Sequence, residues 1–217
     1  MHQTISKLFV ISLFVTVGQI FCTSTTMATE TPQYTVVKED GDFELRQYEP
    51  RIVAEVTVDG DLDAASGRGF RILADYIFGN NRPINNSVMT VSPEAGTKIS
   101  MTAPVTLEPV GANTTMTSAR EWRVEFTMPR EYTMASLPRP NNDLIRIREI
   151  PARNYAAVRY SGMNTERRIN GETDRLFNWV KGMGLVTAGP PELARYNPPW
   201  TLPIFRRNEI LLPLSDR

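Results

Sequence analysis

Read as hydrophobic and polar positions, the chain is a series of short alternating runs and two longer amphipathic ones. Val53-Ala54-Glu55-Val56-Thr57-Val58 has the alternation of a half-buried strand; a Gly60-Asp61 turn and an amphipathic helix ending near Gly79 follow it. The same order returns in the second half. There Tyr155-Ala156-Ala157-Val158-Arg159-Tyr160 leads through Ser161-Gly162 into a helix carrying Ile169, Leu176, Phe177, Val180 and Met183. Ala54, Val56 and Gly60 align with Ala156, Val158 and Gly162 at constant spacing. After a one-residue slip, Ile77 and Gly79 align with Val180 and Gly182. The pattern predicts two copies of one strand–helix unit, with a seam between them where a ligand can sit. The competing explanation is that any two amphipathic strand–helix units look alike.

The remaining runs are shorter. Tyr34–Lys38 and Phe43–Tyr48 flank Glu39-Asp40-Gly41-Asp42, where Asp-Gly suits a tight hairpin. Val88–Val91, Ile99–Met101 and Val105–Leu107 read as strands, with Pro104 marking an edge or bulge. Glu108–Arg120 carries Pro109, Gly111, Asn113 and a Thr/Ser cluster and reads as a solvated hairpin loop. Trp122, Val124, Phe126 and Met128 alternate strictly with Arg123, Glu125 and Thr127, the clearest half-buried strand in the chain. A Pro-containing stretch from Pro129 to Asn142 connects the halves, Leu144–Arg148 opens the second, and Glu192–Tyr196 and Glu209–Leu212 close it. The whole predicts an α+β domain, a roughly eight-stranded antiparallel sheet with two helices, one per half.

The two helices differ in how much apolar surface they carry. On a helical wheel, Trp179, Met183, Leu176, Ile169, Val180 and Phe177 fill an arc of roughly 160°, enough to pack on a sheet. In the first helix, Ile72, Ala65, Tyr76, Gly69, Leu62, Leu73 and Ile77 make the core stripe, and Phe70, Ala74 and Phe78 extend it to roughly 240°. Arg71 borders the extra flank and Arg68 lies further round. An apolar face beside guanidinium groups suits a flat hydrophobic ligand carrying carboxylates, since Arg clamps them bidentately. The alternative is that neighbouring loops cover Phe70 and Phe78.

Charge and processing narrow the classes. The 24 basic and 24 acidic residues cancel, so there is no bulk attraction to nucleic acid or an anionic membrane. Lys7 precedes an almost wholly apolar run, Leu8–Phe21, of signal-peptide length and too short to span a bilayer. Small residues at Thr26 and Ala28 place cleavage after Ala28. Residues 1–28 are therefore expected to be a signal peptide, 29–33 a polar lead-in and 34–217 the domain, exported to the periplasm or exterior. A retained anchor and a lipidated Cys22 are the alternatives, and bulky Phe21 opposes the second. Cleavage removes His2 and Cys22, the chain's one His and one Cys. The mature chain then excludes disulfides, Cys nucleophiles, Ser-His-Asp chemistry and any metal site that needs His or Cys.

Several segments together resemble one family. Lys98-Ile99-Ser100-Met101-Thr102-Ala103-Pro104-Val105 looks like the KI-x-MT-x-PV signature of the SOUL haem-binding proteins. Ala194-Arg195-Tyr196-Asn197-Pro198-Pro199-Trp200 followed by Arg206-Arg207-Asn208-Glu209 resembles that family's closing motif. Phe126-Thr127-Met128-Pro129, Leu137-Pro138 and Ala157–Gly162 match in order. The resemblance implies two pseudo-symmetric βαβ-type repeats forming an eight-stranded barrel-like sheet with two helices, similar to the effector-binding domains of some transcription regulators. It also implies haem or porphyrin on an apolar face of the first helix, where Phe70 and Ala74 occupy pocket-lining positions. The basic positions thought to contact the propionates fall on Gly67, Asp75 and near Thr201, so Arg68 or Arg71 substitutes only in a shifted pose.

The expectation is an exported, monomeric, non-enzymatic binding protein for haem or a related tetrapyrrole. Arg68, Phe70, Arg71, Ala74, Ile77 and Phe78 hold the ligand, with no His on the iron, which is unligated or bound by Tyr or Met, such as Tyr76. No nucleic-acid partner and no stable membrane insertion after cleavage are expected. The alternatives are a module for another hydrophobic or cationic small molecule in the seam, a hydrolase using a carboxylate there, and a structural or partner-binding role, which predicts a large exposed apolar patch with no concavity.

Overall fold

Alternation along the strands and two capped helices decide the architecture. The computed structural model describes residues 29–84, 96–111 and 115–215. The expected signal peptide and the Val88–Val91 strand lie outside the described residues. The elements run β1 (Tyr34–Asp40), β2 (Phe43–Tyr48), β3 (Arg51–Asp59), α1 (Leu62–Ile77), β4 (Asn81–Arg82), β5 (Val105–Pro109) and β6 (Glu121–Thr127). Then come β7 (Arg139–Pro140), β8 (Arg146–Ile150), β9 (Arg153–Tyr160), α2 (Glu166–Gly182), β10 (Glu192–Arg195) and β11 (Asn208–Pro213). Helix α1 starts where Asp61 Oδ1 accepts from Ala64 N at 2.9 Å, and α2 where Thr165 Oγ1 accepts from Arg168 N at 3.3 Å. Beyond the Phe78 cap, Gly79 turns the chain at φ +119°, a conformation open to glycine.

Nine strands form one antiparallel sheet in the order β1-β2-β9-β11-β10-β5-β6-β3-β8, while β4 and β7 pair separately. The sheet has one strand more than the expected eight. About the central β10–β5 contact, β8-β3-β6-β5 on one side faces β2-β9-β11-β10 on the other. Helix α1 packs on β3 and β6, and α2 on β9 and β11, over a shared core. Gly69 makes the α1 approach close: a Cβ there would stand 2.5 Å from Val124 Cγ2.

The second face of the sheet carries no helix and curls on itself. Arg51 of β3 reaches across it, its Nη2 donating to the Tyr155 hydroxyl of β9 at 3.4 Å and its guanidinium lying over the Tyr48 ring at 5.3 Å. This curl buries Glu125, which strict alternation on β6 assigned to solvent. Two other expectations change. Ile99–Met101 joins no ladder; Ile99 is buried beneath the end of α1, its N–H donating to the Ile77 carbonyl at 2.8 Å. The loop before β6 is not wholly solvated either, because Met116 and Ala119 drop into the core.

Candidate functional site

The six expected site residues separate by what packing leaves of them. Ile77, 1% exposed, is core, and Ala74 is also buried. Phe70 is half-buried, its ring 5.5 Å from that of Phe126 and edge-on at 61°. The close approach at Gly69 draws it inward. Phe78, at the C-cap, is 59% exposed. Arg68 and Arg71 are exposed; Arg68 Nη1 donates to the Asp59 carbonyl at 3.1 Å. Arg71 Nη1 lies 3.5 Å from where a Cβ on Gly67 would stand, so its guanidinium leans back over a residue without a side chain. The flank is thus narrower than the wheel predicts: Gly67, the outer part of Phe70, and Phe78, bordered by Arg71.

A residue not assigned to the site from sequence joins it. Arg195, at the end of β10, extends Nη1 to Ser66 Oγ at 2.8 Å on the first turns of α1. Burial lowers its pKa, Asp63 opposes the shift and nearby Arg206 reinforces it, so this cation is incompletely balanced. The closing motif that contains Arg195 marked the fold, and nothing local linked it to α1. Tyr76 is withdrawn from any ligand role, being fully buried with its hydroxyl donating to the Pro138 carbonyl at 2.7 Å.

The helix-free face concentrates buried charge. Arg46 Nη1 and Nη2 donate to the two carboxylate oxygens of Glu209 at 2.6 and 3.0 Å. Arg207 and the Tyr196 hydroxyl donate to the same carboxylate, which is held below its ordinary range by these partners against the opposing effect of burial. Glu192 is the opposite case. Burial, with Glu125 and Glu108 adding to it, pushes it up to about 8, although the Tyr155 hydroxyl donates to it at 3.2 Å. Burial likewise raises Glu125 to about 7 despite its 3.0 Å ion pair with Arg148. Among the described residues, no group of three His, Cys, Asp or Glu is placed to hold a metal.

A cavity of about 530 Å³ lies elsewhere, between the 30–33 lead-in, the start of β3, the 127–133 segment and the end of β8. Pro32, Ile52, Met128 and Tyr132 line it together with Glu30, Glu49 and Glu149 and with Arg51 and Arg130, the last paired with Glu30 at 3.3 Å. It sits at one end of β3, β6 and β8 rather than at the β5–β10 junction. Neither Glu125 nor Glu192 lines it.

The fold defines an α+β domain with two helices backing one strongly curled antiparallel sheet. The model of the SOUL heme-binding protein family matches residues 29–213, and the chain belongs to that family. The comparison with curated proteins returns no match. Among solved structures, the chain is similar to the C-terminal domain of EcmrR, with TM-score 0.59 and 14% identity over 85% of this chain and 99% of that one. It is also similar to a hydrolase from Listeria innocua, with TM-score 0.52 and 10% identity over 82% of this chain and 94% of the other. At these identities the likeness is one of fold.

Proposed function

We propose that this protein is an exported, non-enzymatic, monomeric module that holds haem or a related tetrapyrrole against the flank of α1. Family membership over residues 29–213 carries the ligand class. The location is supported by α1 itself, where Phe78 and the outer part of Phe70 supply apolar surface, and Arg71, leaning over Gly67, and Arg195 stand on its borders. When bound, haem supplies a flat apolar ring, two carboxylates and an iron centre. Phe78 and Phe70 would contact the ring, and Arg71 and Arg195 its carboxylates. Arg68 is less free, being tied to Asp59. Ala74 and Ile77 support the helix from beneath rather than touch the ligand. Export rests on Lys7 and the apolar run that follows it, and the balanced charge gives no electrostatic reason to expect nucleic acid. Hemin titration of the full chain and of Phe78→Ala tests the reading.

The cavity at the ends of β3, β6 and β8, with its apolar lining, favours a second reading, another hydrophobic small molecule held there. Hemin binding that ignores Phe78 would turn attention to it. No such observation favours the hydrolase, because the two carboxylates with raised pKa do not face this cavity.

A further inference from the structure

Between Glu192 and Glu209 there is no acidic residue, and the loop leaving β10 there shows its largest apolar side chains to solvent. Trp200 is 82% exposed, Leu202 62%, Ile204 71% and Phe205 69%. Each of these four neighbouring side chains keeps most of its surface in solvent. The exposure is built in. The loop neck is closed where Tyr196 N donates to the Arg207 carbonyl at 3.2 Å and Arg207 N to Asn197 Oδ1 at 2.6 Å. Inside the loop, Arg206 Nε donates to the Thr201 carbonyl at 2.8 Å and Nη2 to the Pro199 carbonyl at 2.5 Å. These bonds hold the backbone in a form that keeps the apolar side chains outside. Exposed Met163 is drawn alongside, since Gly162 N donates to the Pro203 carbonyl at 2.9 Å.

We propose that this braced loop is a peripheral membrane-binding element that inserts Trp200, Leu202, Ile204 and Phe205 into the interface of an anionic lipid bilayer. The balance of charge selects the occupant. Arg207 is neutralised by Glu209, whereas among the described residues Arg206 bonds the Thr201 and Pro199 carbonyls and pairs with no carboxylate, so the apolar loop carries an unneutralised guanidinium. Apolar side chains beside a cation match acyl chains beside anionic headgroups, and Trp favours that boundary. No described helix is long and apolar enough to cross a membrane. Membrane attachment through the loop is independent of the tetrapyrrole reading.

The test compares the full chain with Leu202→Ser/Ile204→Ser/Phe205→Ser, which keeps Trp200 and the neck bonds. Both carry the N-terminal apolar run, so any difference belongs to the loop. Brominated phosphatidylcholine vesicles, with and without phosphatidylglycerol, report burial of tryptophan by quenching. The native chain is expected to be quenched more strongly with phosphatidylglycerol present, with a blue-shifted emission. The triple variant is expected to lose quenching at least about fivefold at unchanged melting temperature. Absent quenching, or equal quenching in the two chains, overturns the proposal. So does a blue shift without vesicles that grows with protein concentration, because a second copy would then cover the loop.

Discussion

Glu209 is fully buried, yet it answers Arg46, Arg207 and Tyr196 together. Removing it strands the Arg46 guanidinium inside the curled sheet, so Glu209→Ala is expected to cost about 3–5 kcal/mol in chemical denaturation. A loss below about 1 kcal/mol would mean that Glu44, 2.6 Å from Arg46 Nε, suffices as counter-ion. Glu192 acts in the other direction. Its carboxyl titrates near 4.5 when unperturbed and about 8 when folded. Between those values the folded chain keeps a proton that the unfolded chain has released, so stability falls as pH rises through this window. Glu125, raised to about 7, adds a slope of the same sign over a narrower range. Glu192→Gln should therefore flatten the fall in stability between pH 5 and 8 by up to about 1.4 kcal/mol per pH unit. Identical slopes in mutant and native chain would show that Glu192 ionises normally.

At the scale of elements, local chemistry explains what could be read from sequence. The Gly60-Asp61 turn and the apolar periodicity after it announced α1, and Val124 and Phe126 announced β6, because turns and alternation are encoded within a few residues. The contacts that shape the candidate site are not local. Arg195 meets Ser66 across 129 positions, and Phe70 turns inward because Gly69 lets α1 settle onto β6. A wheel gives the width of an apolar stripe but not how deeply the helix sinks, hence the overestimate of free surface at Ala74. Gly69→Ala tests the close approach. The new Cβ would stand 2.5 Å from Val124 Cγ2, and the expected loss is about 1–3 kcal/mol despite alanine's better helix propensity. Val124→Ala in the same chain should recover part of it. Unchanged stability would mean that the helix shifts outward freely.

For the whole molecule, the motifs from Lys98 to Val105 and from Ala194 to Glu209 pointed to the family, and the match over residues 29–213 agrees. Their residues serve the fold more than the ligand: Arg206 braces a loop, Arg207 and Glu209 close an ion-pair network, and Asn208 Nδ2 donates to the Gly162 carbonyl at 3.1 Å. The barrel-like curl followed from the family resemblance and not from the periodicity, because it involves pairings between distant parts of the chain such as β2 with β9 and β3 with β8. The central claim is that the α1 flank holds a tetrapyrrole. The most direct measurement is hemin titration of the native chain beside Phe78→Ala and Arg71→Ala, followed by hemin absorbance and tryptophan fluorescence. Both substitutions are at exposed sites and should leave the fold intact. Hemin is expected to bind the native chain at micromolar concentration, and each substitution to weaken it about tenfold, or about 1.4 kcal/mol. Unchanged hemin absorbance and fluorescence, or equal affinity in all three chains, would contradict the account.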